Sequence, residues 1–159
     1  MKHPDKQHTT NYFDTFIEIA SDCKVLVGQI PTIRNDKKTV AFMQFELLLK
    51  RPYQYTSDDI FFQVYANRND LIESEYENTR QQFFSKGQPC FRASPLTKQF
   101  GWCIDSDKNG KIAIYGRETE KYQQLVEDSE IKKVRAMQTS KNKKCYEKTV
   151  SNSCTFITV

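Results

Sequence analysis

The residues best equipped for chemistry lie between Gln82 and Gly116, QFFSKGQPCFRASPLTKQFGWCIDSDKNGKIAIYG, a stretch that holds the only Trp and two of the five Cys. Lys86, Arg92, Ser94, Thr97 and Lys98 place cations and hydroxyls on a connector whose backbone is restricted by Pro89 and Pro95. A guanidinium presents a planar fork that matches carboxylate or phosphate oxygens, and lysines act beside it as point charges. The surface made by Lys86, Arg92, Ser94, Lys98 and Trp102 is therefore the expected binding site, for a small anionic ligand or a protein segment. The competing reading pairs Arg92 with a neighbouring carboxylate and leaves the prolines as a plain connector from helix to sheet.

Two further arrangements bear on catalysis and metals. Cys90 and His8 supply a thiol and an imidazole, the types needed for a nucleophile and its base. An enzyme using Cys90 or His8 is the alternative reading, and no catalytic residue is assigned beyond those two. Cys90 is expected to follow a helix C-terminus, the end whose dipole disfavours a thiolate. Asp105-Ser106-Asp107-Lys108-Asn109-Gly110 opens like a calcium loop, but position twelve is Gly116 where a bidentate Glu is required, so a hairpin turn is expected and no metal. His3 and His8 fit no zinc spacing, the Cys form no CxxC pair, and neither GxxxxGK[ST] nor GxGxxG occurs, so no cofactor is expected. Phe91, Phe100, Trp102 and Tyr115 either line a pocket or pack as core, and core is the expectation.

These side chains need elements to hold them. TFIEIA (Thr15–Ala20) alternates like a strand, with Ile17 and Ile19 on its core face. Val40, Met43 and Leu47 predict a helix over 40–50, ended by Pro52. TSDD supplies caps for a helix from Asp58 to about Asn67, although its aromatic and β-branched content also suits a strand. Ser74 and Glu77 predict a capping box for a third helix that stops at Gly87 and Pro89. FGWCID and KIAIYG flank SDKNG as a hairpin. Thr119 caps a helix with the apolar stripe Tyr122, Leu125 and Val126, and IKKVRAM follows as an edge strand. The sum is a single α+β domain, a small mainly antiparallel sheet with helices packed on one face.

The 159 residues suit one domain, divided here into a flexible leader 1–7, a folded domain 8–137 and a polar basic tail 138–159 ending in an apolar TFITV able to dock. The formal charge is +4, but Lys141, Lys143, Lys144 and Lys148 against Glu147 place +3 of it in the tail and leave +1 for residues 1–137. A nearly neutral body argues against nucleic acid as a partner, with weak tail binding as the third-ranked function. An odd Cys count implies reduced thiols, and no apolar run approaches the roughly 18 residues of a membrane span. A cytoplasmic protein with no membrane partner is expected.

Read together, HTTNYFDTFIEIA, PYQYTSDDIFFQVYANRN, QFFSKGQPCFRASPL, FGWCI and KIAIYG make the chain resemble a family of small uncharacterised bacterial proteins, a domain of unknown function. The resemblance covers about His8 to Met137, and its most specific part is FSKGQPC-RASPL. It implies a class of protein and no mechanism. Members read Gly-Trp-Gly-Ile-His where this chain has Gly101, Trp102, Cys103, Ile104 and Asp105, so any role that needs an imidazole at that point does not carry over.

Overall fold

Thr15–Glu18 (β1) places Phe16 and Ile17 side by side in sequence with neither exposed at all. Successive strand residues point to opposite faces, so this strand is covered on both sides. The structure is a computed structural model that describes residues 7–139. β1 is followed by a short hairpin, Ile33–Arg34 (β2) and Lys37–Lys38 (β3), turned by Asn35 and Asp36 at φ 50 and 59. Both values suit the left-handed turn that two-residue hairpins prefer.

The helices begin where side-chain oxygens satisfy their first backbone donors. Val40–Lys50 (α1) starts at Thr39, whose hydroxyl accepts from Phe42 N at 3.2 Å. Ser57–Arg68 (α2) has a reciprocal box: Thr56 Oγ1 accepts from Asp59 N at 3.2 Å and Asp59 Oδ2 accepts from Thr56 N at 3.1 Å. The helix reading of this segment holds over the strand alternative because that box closes. The third helix starts differently from the expectation. Ile72 N donates to Glu75 Oε2 at 3.0 Å, a 3-10 turn occupies Glu73–Glu75, and only then does Tyr76–Phe84 (α3) run. The Ser74–Glu77 box is not formed because Ser74 already lies inside that turn. Pro95–Lys98 (α4) is a single turn capped by Ser94.

Trp102–Ser106 (β4) and Ile112–Gly116 (β5) form the expected hairpin. Asp107 Oδ1 accepts from Asn109 N and Lys111 N at 2.8 and 2.9 Å, and Gly110 takes φ +79. The carboxylate at the third position of the calcium-like loop thus closes its own turn, and the one at the first position accepts from Tyr53. Glu120–Glu127 (α5) starts at Thr119, whose hydroxyl accepts from Tyr122 N, and Lys132–Arg135 (β6) returns along β1. The sheet order is β5-β4-β1-β6, antiparallel except for the β1/β6 pair, with Ile17 opposite both Ile104 and Val134. The fold is α+β. Phe45 and Leu48 of α1, Ile60 of α2, Phe91 and Leu96 share one core with Ile17, Ile104 and Ile114. Tyr122 of α5 meets Phe16 edge-on at 5.8 Å, and Phe16 projects to the face opposite Ile17.

The chain ends of this body are tied down by polar contacts. Asp58, in the first turn of α2, accepts from Thr9 Oγ1, Thr10 N and Thr10 Oγ1, all at 2.7 Å, and Asp58 N donates to Asn11 Oδ1 at 2.9 Å. His8 N donates to Phe84 O at 2.8 Å and Gln7 Nε2 to Gln81 O at 3.3 Å, which fasten this segment to α3. At the other end Gln138 reaches Ser21 and Thr139 N reaches Asp22. The rest of the expected tail, with TFITV, and residues 1–6 of the leader lie outside the described residues.

Asp58 is 9% exposed and holds three donors from a segment nearly fifty residues away. Asp58→Ala is expected to lower stability by about 2–3 kcal/mol, because buried donors lose a charged acceptor. Thermal unfolding gives the size of the loss. Hydrogen exchange is expected to accelerate at Thr10 and His8 ahead of β1.

Candidate functional site

One face of α2 carries Phe61, Tyr65 and Arg68 at i, i+4 and i+7, while Ile60 and Val64 on its other face are buried in the protein. Opposite that face stand Val40 and Gln44 of α1, one turn apart, and Phe83 of α3. The connector from Gln88 to Pro95 closes the remaining side with Gln88, Pro89, Cys90, Ala93, Ser94 and Pro95. Together they enclose a groove of about 350 Å³. Its walls are largely apolar, and its polar groups are few and defined.

Gln44 is only 2% exposed. Its Oε1 accepts from the Ser94 hydroxyl at 3.0 Å, while Ser94 Oγ accepts from Leu96 N at 3.2 Å to cap α4. The Ser94 proton thereby fixes which end of the Gln44 amide is the acceptor, and the Nε2 protons meet no acceptor among the described residues. Gln88 Nε2 donates to Phe83 O at 2.8 Å, tying the connector to α3. Arg68, in the last turn of α2, has no carboxylate partner among the described residues. Cys90 Sγ lies 3.5 Å from the Tyr12 hydroxyl, whose pKa is raised by burial and by that thiol.

The five residues expected to form one surface do not share one place. Ser94 lines the groove. Arg92 Nε donates to Arg135 O at 2.8 Å and Arg92 O accepts from Met137 N at 2.8 Å, so this residue clamps the end of β6 as a neighbouring strand would. Among the described residues no carboxylate pairs with it, and it does not line the groove. Trp102 Nε1 donates to Gln29 O at 2.7 Å, and its ring packs 5.2 Å from Phe45 and over Gly28, where an added Cβ would sit 2.9 Å from the indole. Lys86 is exposed and Lys98 half-buried, each without an ion pair among the described residues. Cys90 lines the groove and His8 lies against Gly87; among the described residues no hydrogen bond joins the two.

Sequence reading missed Gln44, Arg68 and Tyr65. The only available signal was that α2 alternates aromatic and aliphatic residues on two faces, which marks a helix buried on one side and lining something on the other. It also missed a second polar cluster on the sheet. Tyr53 donates to Asp105 Oδ2 at 2.6 Å and lies 3.0 Å from the Tyr115 hydroxyl. Tyr53 takes φ 56, unusual for an aromatic residue, and is held there by Tyr53 N to Ile112 O at 2.9 Å. Burial, and then the Asp105 carboxylate, keep its phenol protonated well above the ordinary range. The cluster reads as a lock that fastens the α1–α2 crossover to the sheet. Among the described residues no group of three or more His, Cys, Asp or Glu is placed to hold a metal ion, and no helix is long and apolar enough to cross a membrane.

An α+β body with an apolar groove between its helices is the class of protein that the fold defines. The chain belongs to a family of unknown function, DUF6157, whose model matches residues 7–142. No curated protein and no solved structure matches it at a significant level.

Burial pushes the Cys103 thiol up to about 12, and Cys103 is fully enclosed. At neutral pH iodoacetamide is expected to modify the half-buried Cys90 ahead of Cys23 and Cys103, as peptide mass spectrometry of the labelled chain would show. The same shift has a stability consequence. Between the ordinary thiol value near 9 and the raised one near 12 the unfolded chain holds fewer protons than the folded chain. Stability is therefore expected to be intact below pH 9 and to fall as pH rises through that window, by up to about 1.4 kcal/mol per unit. Cys103→Ala is expected to flatten that slope in alkaline denaturation.

Proposed function

We propose that this protein is a binding module that takes a small anionic ligand, a carboxylate on an apolar body, into the groove between α1, α2, α3 and the 88–95 connector. The observation that carries this reading is the conjunction of an apolar cavity of about 350 Å³ with the buried Gln44 amide and with Arg68, which has no ion pair among the described residues. Ligand cavities are commonly about 300–1,000 Å³, mostly apolar, with a few placed polar groups. The Gln44 Nε2 protons suit a carboxylate or carbonyl oxygen, and Arg68 supplies the charge at the mouth. The Phe61, Tyr65 and Phe83 rings would cover the apolar part. Cavity volume favours a small molecule over a protein segment, since an extended chain needs a channel rather than a bounded space. Lys86 and Lys98, on the segments at either end of the connector and without an ion pair among the described residues, add positive potential on the approach.

Anilinonaphthalenesulfonate, an aromatic anion, is expected to bind saturably with enhanced fluorescence, and decanoate or phenylacetate to displace it. Arg68→Gln is expected to weaken carboxylate binding by about tenfold or more, the scale of one charge-assisted hydrogen bond, while the melting temperature moves by only a few degrees. Decanol, with the same chain and no charge, should lose nothing from that substitution. Absence of saturable binding, or equal carboxylate affinity in Arg68→Gln, would overturn the proposal.

A further inference from the structure

A second surface lies away from the groove, on the segment from Lys24 to Lys38. Leu26, Val27, Ile30 and Ile33 are 75%, 52%, 67% and 53% exposed. Of the nine large hydrophobic side chains exposed among the described residues, these four fall within eight consecutive positions, a density that single scattered surface apolars do not reach. Their exposure does not come from a loose backbone. Gly28 N donates to Glu118 Oε2 at 2.8 Å, Gln29 N to Phe100 O at 2.8 Å, and Gln29 O accepts from Trp102 Nε1 at 2.7 Å. Arg117 donates to the carbonyls of Cys23 and Val25 at 3.2 and 3.0 Å. Pro31 is buried between exposed Ile30 and exposed Thr32, and Thr32 O accepts from the Thr39 hydroxyl at 2.9 Å. The scaffold therefore holds the aliphatic side chains out in water.

Charge narrows what covers them. Lys24, Arg34, Lys37 and Lys38 stand in the same segment against one acid, Asp36. Two further carboxylates touch it, Glu118 on Gly28 N and Glu46 between Lys38 and Lys50 at 2.8 and 3.2 Å, and with Arg117 on the Cys23 and Val25 carbonyls the balance stays positive. A second copy of this chain would oppose cations with cations. The groove described above is lined by none of these residues, and the segment presents projecting aliphatic side chains. Aliphatic projections beside cations match a bilayer interface, where acyl chains yield around any shape and anionic headgroups neutralise the lysines. We propose that the 24–38 segment docks this protein on anionic membrane surfaces. The contact is peripheral, distinct from the absence of a membrane-spanning helix, and independent of the groove.

The test is co-sedimentation of the full chain with vesicles of phosphatidylglycerol and phosphatidylcholine, against vesicles of phosphatidylcholine alone. Binding to the anionic vesicles is expected, weakened by salt. Leu26→Ser/Val27→Ser/Ile30→Ser is expected to reduce it by about tenfold or more, since each buried aliphatic side chain contributes more than a factor of ten when fully covered. Leu49→Ser, an equally exposed aliphatic on α1, should leave binding unchanged. Circular dichroism of each variant should match the parent chain, because the altered side chains are already in water. Three results would overturn the proposal: no sedimentation with anionic vesicles, undiminished binding by the triple variant as adsorption through the basic tail would give, or a concentration-dependent dimer that the triple variant abolishes.

Discussion

The full enclosure of Phe16 and Ile17 on consecutive positions of β1 is the constraint from which the rest of the architecture follows. A strand buried on both faces cannot be supplied by one layer of helices. On the Ile17 side, α1, α2 and the 91–96 turn provide Leu48, Ile60, Phe91 and Leu96. On the Phe16 side, Tyr122 from α5 provides the cover, and that obliges the chain to cross from β5 through α5 before β6 can return parallel to β1. The one parallel pairing in an otherwise antiparallel sheet is thus the geometric result of covering β1 twice.

The same requirement produces the groove. α2 is drawn onto the core through Ile60, and its opposite face, with Phe61 and Tyr65, is left to be covered by α3 and the connector. α3 packs on α2 through a separate small cluster, Phe62, Ala66 and Phe84 with Phe83 and Tyr76 around it. Two clusters that meet at an angle along one helix leave a seam between them, and the seam is where the cavity lies. Arg80 stacks on Phe62 and Phe84 at 5.7 and 5.6 Å while bonding Asp59 at 2.9 Å, so α3 is located by a cation over aromatic faces as much as by apolar contact.

Arg92 illustrates how a correct chemical reading of a residue leaves its partner open. Its guanidinium has the shape of a fork for an anion or an acid, and it meets a backbone carbonyl at the end of β6. An edge strand exposes unpaired carbonyls and amides, and Arg92 satisfies one of each. Asp105 is similar. Where related sequences are expected to carry His, this chain places a carboxylate that accepts from Tyr53 across the sheet. Neither partner is near in sequence.

Local signals determined most of the elements. Thr39, Thr56 and Thr119 cap the helices that follow them, Gly110 turns the β4–β5 hairpin, and the apolar periods place the α1 and α5 faces, because each depends on residues within a few positions of one another. The α+β class follows from their order. Tertiary structure decided what no short window contains: the parallel β1/β6 pair, the division of Ser94, Arg92 and Trp102 among three environments, and the meeting of Gln44 with Ser94 across fifty positions. Those outcomes turn on which face of each element is covered and by what, and that is settled only when all the apolar faces are buried together.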